Sequence, residues 1–266
     1  MSTSTIYRYN GLLIRVSIIV HLLAVCLLFV PDGWRYALFV MFGNHAVLVA
    51  QGLWPRSQWL GRNITRVPPA KAGNAVYITI DDGPCPEVTP QVLKILEQFH
   101  AKATFFCIGK HVQQYPDLAR LIVAAGHKLE NHSMAHSYTF SLWGMQKIYD
   151  DVANAQTVIQ EATDSRPCYF RAPAGLRNIF LDGVLQKLGL CLVSWTRRGF
   201  DTRQRNASAV LESLCRNLQA GDILLLHDGN AALTCNGRAV IVEVLPVLLQ
   251  TLSDNKLSPE ALPDDL

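Results

Sequence analysis

The chain has 266 residues, which is enough for one good-sized domain and a smaller appendage. Half of the residues are hydrophobic and only 17% are charged, against about 25% in an average soluble domain. The formal net charge of +3 is small and no basic block with interleaved aromatic residues occurs, so we expect no nucleic-acid partner.

Cysteine usage points to a reducing compartment. The chain contains seven cysteines, an odd number, and no two of them form a CxxC pair. This pattern argues against a disulfide framework and against a cysteine-based zinc site. We therefore expect free thiols.

Two apolar segments open the chain. In residues 16–30 His21 and the thiol of Cys26 are the only ionisable groups, and residues 34–53 follow a Pro-Asp-Gly turn. A membrane-spanning helix needs about 20 mostly apolar residues. The first segment meets this length if residues 11–15 lie at the interface, and the second approaches it. Residues 1–62 are therefore predicted to form a transmembrane hairpin with aromatic residues at its ends.

The hairpin has alternatives that the sequence leaves open. A cleaved signal peptide is disfavoured because the apolar run is long and no small-x-small site follows it. The second segment could instead lie on the membrane or against the soluble domain. Positive charges flank the pair on its outer sides, at Arg8, Arg15, Arg56, Arg62, Arg66 and Lys71. If both segments cross, this bias places both ends in the cytoplasm of a bacterial-type inner membrane; if only the first crosses, the downstream domain is outside.

Downstream of a predicted linker, strands and helices alternate. Residues 63–73 contain two prolines and resemble a linker, residues 74–255 form the predicted domain, and residues 256–266 a tail. Apolar runs predict strands at residues 75–80, 103–108, 127–131, 168–171, 190–195 and 222–227. Amphipathic stretches predict helices at residues 88–99, 112–125, 142–162, 179–188, 207–218 and 239–252. This order favours an α/β fold, a parallel sheet or barrel.

The unusual polar residues follow these strands directly. Asp81 and Asp82 end the first strand, His132 the third, Arg171 the fourth and His227 the sixth. In parallel α/β folds, functional groups gather at the carboxyl ends of the strands. We therefore expect these side chains to share one site.

Adjacent carboxylates on a strand point in roughly opposite directions, so one of Asp81 and Asp82 can bind a metal while the other does acid–base work. Alone, the pair also fits a solvated loop before a Gly-Pro turn.

His132 and His136 are four residues apart, which places both on one face if the segment is helical. Two imidazoles and one carboxylate would hold a cation with positions left open for water and substrate.

Four motifs occur in order: TIDDGP at residues 79–84, NHSMAHS at 131–137, FRAPAG at 170–175 and LLLHDG at 224–229. Together they resemble the polysaccharide deacetylase family, also known as the NodB-homology domain or carbohydrate esterase family four. The resemblance covers about residues 74–250. It implies a distorted (β/α) barrel, here preceded by the transmembrane hairpin, and hydrolysis of N-acyl or sometimes O-acyl groups on sugars.

The resemblance also implies individual roles. Asp81 becomes the general base, and Asp82, His132 and His136 the ligands of one divalent ion, usually zinc, with cobalt, nickel or manganese used by relatives. Arg171 resembles the arginine that holds the base, and His227 the histidine that protonates the leaving amine. The implied groove wall contains Pro173, Ala174, Trp195 and Leu225, with the backbone N–H of Ala174 at the oxyanion.

Two departures from the family pattern concern the substrate. Ala174 stands where an aromatic residue usually follows the proline, and the expected aspartate near Trp195 is replaced by a stretch in which Asp201 is the candidate substitute. Arg197 and Arg198 lie in that stretch. They belong either to a solvated loop or to a site for a substrate phosphate, as on a lipid-linked sugar.

The sequence thus predicts a metal-dependent hydrolase that removes an acetyl or formyl group from an amino sugar of a polysaccharide or lipid-linked glycan. Its expected partners are the carbohydrate or glycolipid and the membrane, and no protein partner is evident. An O-acetyl esterase is one alternative. A catalytically inactive, membrane-tethered sugar-binding protein is another, although the retained Asp81 speaks against it.

Overall fold

A computed structural model describes residues 11–266, so Arg8 and the rest of residues 1–10 lie outside the described part. The described chain opens with a hairpin of two helices, α1 (Leu12–Leu27) and α2 (Gly33–Leu53). The turn between them is tight, since a Cβ on Gly33 would lie 1.9 Å from the carbonyl oxygen of Leu27. Only glycine fits there.

The outer surface of the hairpin is apolar and exposed; Phe29, Phe39 and Phe42 are each more than 75% exposed. Polar contacts lie between the helices, where Asn44 Nδ2 donates to Ser17 Oγ at 2.8 Å. By length and composition α2, with 21 residues, is able to cross a membrane, whereas α1 is a shorter apolar helix of 16 residues. The segment that looked weaker in the sequence is thus the longer helix.

The hairpin continues directly into the rest of the molecule. Arg177 N donates to the carbonyl of Gly52 at 3.1 Å, and the Arg177 guanidinium donates to the carbonyl of Ser57. Ser194 Oγ donates to the carbonyl of Pro55 at 2.7 Å. Residues 54–60 are therefore fixed against the loops of the downstream domain.

That domain is built on a curled sheet whose strands all pair in parallel. Its strands are β1 (Ala75–Asp81), β2 (Thr104–Cys107), β3 (Lys128–Asn131), β4 (Tyr169–Phe170), β5 (Cys191–Leu192), β6 (Arg197–Arg198), β7 (Ile223–His227) and β8 (Ser258–Glu260). Their order is β5-β4-β3-β2-β1-β7-β6, and β8 pairs with the start of β1. The predicted α/β class and parallel sheet are confirmed.

Helices cover the outside of the sheet. They are α3 (Pro69–Ala72), α4 (Thr89–Gln98), α5 (Gly109–Gln114), α6 (Pro116–Ala124), α7 (Met145–Thr163), α8 (Leu181–Leu188), α9 (Ala207–Cys215) and α10 (Val240–Asp254). The helix predicted at residues 112–125 is two helices, because Pro116 lacks an N–H and starts α6 instead of continuing α5. The main core lies between sheet and helices and includes the fully buried Ile78, Ile80, Phe105 and Leu245.

The stretches predicted as linker and tail are packed on the domain. Ile64 forms a parallel bridge with Val193, and Val67 is fully buried with its N–H donating to the carbonyl of Gly221 at 2.9 Å. Near the C-terminus Leu262 is also fully buried. These contacts could not be predicted from the sequence, because they involve single apolar residues within polar, proline-containing stretches that have no periodic pattern.

Candidate metal centre and catalytic groove

Sheet register brings the predicted residues to one edge. Asp81 is the last residue of β1 and pairs with His227, the last residue of β7. His132 follows β3 and Arg171 follows β4, whose neighbouring ends pair through Asn131 and Phe170. The expected convergence of these side chains at the carboxyl ends of the strands is confirmed.

Asp82, His132 and His136 form a compact trio of potential metal ligands. Each offers one ligand atom, and these atoms lie within 4.8 Å of one another. Nε2 of each histidine is 3.3 Å from Oδ1 of Asp82. His132 Nδ1–H donates to the carbonyl oxygen of Arg171 at 2.8 Å, which leaves the Nε2 lone pair facing Asp82.

The two carboxylates do not diverge as expected of neighbours on a strand. Asp82 has a φ of 73°, outside the strand conformation, and this turns its carboxylate back to the side of Asp81. As a result His132 Nε2 lies 3.8 Å from Asp81 Oδ2 as well as 3.3 Å from Asp82 Oδ1. Both acids face one site.

The two histidines converge by a loop and not by a helical turn, so that expectation was wrong. Residues 132–136 are non-helical, and Ser133 and His136 have φ values of 67° and 46°. Side chains hold this conformation: Asn131 Oδ1 accepts from Ser133 N at 2.9 Å, and Asp151 on α7 accepts from Met134 N at 2.9 Å. The two histidines thus lie together, as expected, but not through the i,i+4 spacing of a helix.

The trio fits a divalent cation. Oδ1 of Asp82 is buried, and none of the residues 11–266 donates a hydrogen bond to it by strict geometry. Burial raises the pKa of Asp82, but interaction with His132 and the charges of His227 and His136 lower it well below its usual range. A buried, ionised oxygen facing two imidazole nitrogens is a donor set typical of zinc and neighbouring transition metals.

Arg171 holds one oxygen of Asp81. The arginine is 1% exposed, and its Nη1 donates to Asp81 Oδ1 at 2.6 Å and to Thr79 Oγ1 at 2.8 Å. Nη2 and Nε donate to the carbonyls of Ser194 and Val193 at 3.0 and 3.2 Å. Because all three of its guanidinium nitrogens donate hydrogen bonds, Arg171 fixes the Asp81 carboxylate and leaves Oδ2 directed to the potential metal ligands.

Asp201 holds His227. Its Oδ1 accepts from His227 Nδ1 at 2.8 Å, its Oδ2 accepts from His227 N at 2.7 Å, and it is fully buried. Burial lowers the pKa of His227, but the Asp201 carboxylate, together with the charges of Asp81 and Asp82, outweighs this effect and raises that pKa to about 9. Asp201, the candidate substitute for the aspartate expected near Trp195, thus lies against His227.

A cavity of about 280 Å³ is lined by the two carboxylates and three histidines of this site, Asp81, Asp82, His132, His136 and His227. Arg171 and Asp201 are buried and do not line it. Of the predicted groove residues, Ala174, Trp195 and Leu225 line it, whereas Pro173 is buried behind the wall. Sequence reasoning missed further lining residues in the surrounding loops, namely Tyr138, Gly175, Thr202, Arg203 and Asn230. None of them stands in a periodic pattern that could have revealed it.

Arg197 and Arg198 point to opposite faces of β6. Arg197 Nε forms an ion pair with the buried Asp222 at 3.2 Å and is thus a structural residue. Arg198 lies beside Leu225 of β7 and lines the cavity. Arg197 therefore fits neither a solvated loop nor a phosphate site, and the possibility of a phosphate site concerns Arg198 alone.

Asp228 is a further buried acid that the sequence analysis passed over, although it directly follows His227. Thr89 Oγ1 donates to its Oδ2, and a Cβ on Gly83 would lie 2.5 Å from its Oδ1. Burial raises the pKa of Asp228 to about 7. It supports the loop that carries Asp82 from behind.

The sequence and the fold were compared with known proteins. A family model described as polysaccharide deacetylase matches residues 69–193, which include Asp81, Asp82, His132, His136 and Arg171 but not His227. The chain is 36% identical over 156 residues to a chitooligosaccharide deacetylase of Bradyrhizobium sp. (strain ANU 289), covering 58% of this chain and 71% of the relative. It is 34% identical over 179 residues to a peptidoglycan-N-acetylglucosamine deacetylase of Bacillus cereus, covering 66% and 81%.

Solved structures share the fold. A family 4 carbohydrate esterase from Streptomyces lividans in complex with acetate superposes with a TM-score of 0.66 at 29% identity, over 73% of this chain and 95% of that one. A mutant of a family 4 pseudoenzyme with restored enzymatic activity gives a TM-score of 0.67 at 25% identity, over 75% and 69%.

Proposed function

The chain belongs to the polysaccharide deacetylase family and is a carbohydrate deacetylase, and on that premise we propose that it hydrolyses the N-acyl group, acetyl or formyl, of an amino sugar. The observation that carries this proposal is the arrangement of three ligand-type side chains beside an arginine-held carboxylate and an aspartate-held imidazole. The roles of the residues follow from what each is held by.

Asp82, His132 and His136 are the proposed ligands of one divalent cation, with zinc the first candidate. When bound, such a cation polarises the amide carbonyl and lowers the pKa of a water in the site from about 16 towards about 7. The orphaned Oδ1 of Asp82 supports this assignment. Because the trio is a carboxylate and two imidazoles, it leaves space for water and substrate on the cavity side.

Asp81 is the proposed general base. Arg171 occupies its Oδ1, so Oδ2 remains to accept a proton from the attacking water. That oxygen lies 3.8 Å from Nε2 of His132, next to the proposed ligands. Arg171 and the buried hydrogen bonds around it keep the carboxylate from turning away.

His227 is the proposed general acid. Asp201 accepts the Nδ1 proton, which leaves Nε2 directed into the cavity. The Asp201 carboxylate raises the pKa of this imidazole and so favours its protonated form, which is able to donate a proton to the departing amine. An amine is a poor leaving group without that proton. The backbone N–H of Ala174, on the cavity wall, is the proposed additional donor to the tetrahedral oxyanion.

The enzyme is proposed to act at a bacterial-type inner membrane, with its hairpin inserted and the domain on the cytoplasmic side. The exposed apolar faces of α1 and α2 support insertion. Trp54 and Trp59, each more than half exposed, follow α2 at the level where interfacial aromatics are expected. Arg56 and Arg62 follow the same helix, which supports a cytoplasmic domain.

The decisive experiment measures release of acetate or formate from N-acylated glycans and glycolipids by the purified full-length protein. Metal-stripped, zinc-reloaded and Asp81→Asn samples are compared, with Asp117→Asn on the exposed surface of α6 as the matched control. Metal-dependent release that is retained in the control and lost in Asp81→Asn supports the proposal. Stoichiometric metal binding without any release favours the alternative of an inactive sugar-binding protein, and release from O-acetylated glycans alone favours an esterase.

A further inference from the structure

A second groove of about 350 Å³ adjoins the catalytic cavity on the side of the hairpin, and we call it the anchor-side groove. Trp54, Arg56 and Phe200 line it, and Trp195 and Arg198 line both the groove and the cavity. A molecule with its reacting sugar in the cavity can therefore extend into the groove past these two shared side chains.

Arg198 is a cation without a matching anion. Its guanidinium lies 5.4 Å from the ring centre of Trp195 and 5.0 Å from that of Phe200. Its Nε is buried without a hydrogen-bond partner, and it forms no ion pair with any of the residues 11–266. Burying polar groups of a charged side chain is costly unless a partner satisfies them. Its neighbour Arg197, which faces Asp222, has such a partner within the protein.

A second guanidinium lies in the same groove. Arg56 is held through Nη1, which donates to the carbonyl of Thr196 at 3.3 Å, and it too lacks a carboxylate partner within the described part of the chain. No aspartate or glutamate is among the described residues that line the groove. Two arginine forks without acids form a site suited to a phosphate or diphosphate group.

Phe200, which lines the groove on the side of the domain, has a strained backbone conformation. Phe200 has a φ of 58°, which is unfavourable for an aromatic residue, and its side chain is 56% exposed beside Arg198. Strained residues are retained where the surrounding structure needs them. An exposed ring in this position shields one side of the Arg198 guanidinium from water and strengthens its attraction for an anion.

The position of the groove relative to the apolar hairpin indicates which molecule carries the phosphate. Trp54 directly follows the last residue of α2, so the groove opens where the apolar hairpin ends. In a bilayer this is the level of the headgroups, where the phosphate of a lipid carrier lies. We infer that the anchor-side groove binds the phosphate or diphosphate of a lipid, and that the substrate is an amino sugar linked through that group to the lipid. This assignment rests on the proposed function and adds the substrate class to it.

The aromatic residues of the groove raise one competing assignment, the stacking of further sugar units of a neutral polymer. To separate the two, the full-length enzyme is assayed with N-acetylglucosamine linked through diphosphate to a short polyprenol and with the neutral alkyl glycoside of the same sugar. Wild type is expected to have a kcat/KM at least tenfold higher for the diphosphate-linked substrate. Arg198→Gln is expected to reduce that ratio about tenfold, and Arg120→Gln, on the exposed surface of α6, to leave it unchanged.

Farnesyl diphosphate, inorganic diphosphate and farnesol are then compared as competitors of the neutral substrate with wild type. Farnesyl diphosphate is expected to inhibit best, and its inhibition to weaken about tenfold in Arg198→Gln. Inhibition that is the same in both proteins would come from metal withdrawal and would overturn the assignment. Equal inhibition by inorganic diphosphate overturns the lipid source, and equal inhibition by farnesol overturns the phosphate site. The order of inhibition by the three competitors is measured with wild type alone. That comparison therefore does not depend on whether Arg198→Gln folds.

The two levels of the proposal fail differently. Release of acetate from the neutral sugar, with no preference for the diphosphate-linked one, overturns this inference and leaves the deacetylase mechanism standing. Loss of the preference in Arg120→Gln as well as in Arg198→Gln overturns the assignment to Arg198. Absence of release from every N-acylated substrate overturns both.

Discussion

Single residues in this site act through the groups that hold them. Arg171 and Asp201 lie behind Asp81 and His227, and both are fully buried or nearly so. Each binds one polar atom of its partner's side chain, Oδ1 of Asp81 or Nδ1 of His227, and leaves the other polar atom of that side chain to the cavity. The chemistry of the pair therefore depends on two residues that have no proposed contact with substrate.

The Asp201–His227 pair gives the first prediction. A raised pKa keeps His227 protonated below about 9, and the proton is lost as pH rises through that value; a bound cation nearby lowers the limit somewhat. Asp201→Asn removes the largest of the charges that raise this pKa. We expect the alkaline limb of kcat/KM to move down by about one pH unit, so that activity falls about twofold at pH 8 and about tenfold at pH 10, above both limbs. Complete pH–rate profiles of both proteins test this, and an unchanged limb would contradict His227 as the acid.

The ligand trio gives the second prediction, which does not depend on activity. Asp82→Asn removes the charge of the buried Oδ1 but keeps the volume of the side chain. We expect zinc content after dialysis to fall from about one per chain to less than a tenth, because carboxylate ligands bind in the ionised form. Elemental analysis measures the content, with Asp117→Asn as control. Full retention of zinc would exclude Asp82 from the ligand set.

Among the secondary-structure elements, β4 is only two residues long and depends on its neighbour β3. Glu130 on β3 accepts hydrogen bonds from Cys168 N at 2.9 Å, directly before β4, and from Tyr169 N at 2.7 Å, the first residue of β4. Those bonds place Phe170 and then Arg171 at the site. The buried carboxyl group of Glu130 thus fixes β4 next to β3 and, with it, the position of Arg171.

This carboxylate gives the third prediction. Burial raises the pKa of Glu130 to about 7, above its ordinary value of 4.5. A raised folded-state pKa means that the contribution to stability is complete below about 4.5 and is lost as pH rises through about 7. Glu130→Gln should remove this part of the pH dependence. Melting temperatures between pH 4.5 and 8 are expected to decline less steeply in the variant, and parallel curves would contradict the prediction.

The elements that sequence predicted best are those with local signals. Long apolar strands such as β1 and β7, and the residues that end them, were placed correctly because periodicity and linear motifs encode them. A helical turn was expected at residues 132–136, but this segment is a loop with left-handed φ values at Ser133 and His136. Hydrogen bonds from residues 133 and 134 to the side chains of Asn131 and Asp151 hold the loop, and these contacts lie outside any local sequence pattern. β6 could not be predicted, because two arginines carry no strand signal.

At the scale of the whole molecule, the segment that joins the hairpin to the domain is packed on the domain. The sequence predicted the two parts but separated them by a linker, whereas Ile64 and Val67 pack on the sheet. Isolated apolar residues in a polar, proline-rich stretch give no periodic signal, so only the tertiary contacts reveal them. Tyr138, Arg203 and Asn230 escaped prediction for the same reason, since loop positions converge through the fold alone.

Membrane insertion gives the fourth prediction. The exposed aromatic and aliphatic residues of α1 and α2 cover a surface that water solvates poorly. In fractionated cells we expect the full-length protein to remain in the membrane pellet after washes with high salt and with alkaline carbonate, and to require detergent for release. A peripheral protein of the same membrane serves as control. Release by carbonate would show that the helices lie on the bilayer surface and do not cross it.

The junction of Arg177 with Gly52 and Ser57, together with the contact of Pro55 with Ser194, fixes the catalytic cavity relative to the hairpin. With the lipid-linked substrate inferred above, the encounter of enzyme and substrate becomes a search by lateral diffusion in two dimensions. The rate then follows the mole fraction of substrate lipid in the bilayer and not its bulk concentration. Dilution of proteoliposomes with inert lipid, at constant amounts of enzyme and substrate, should therefore slow the reaction, whereas dilution of the vesicles with buffer should not.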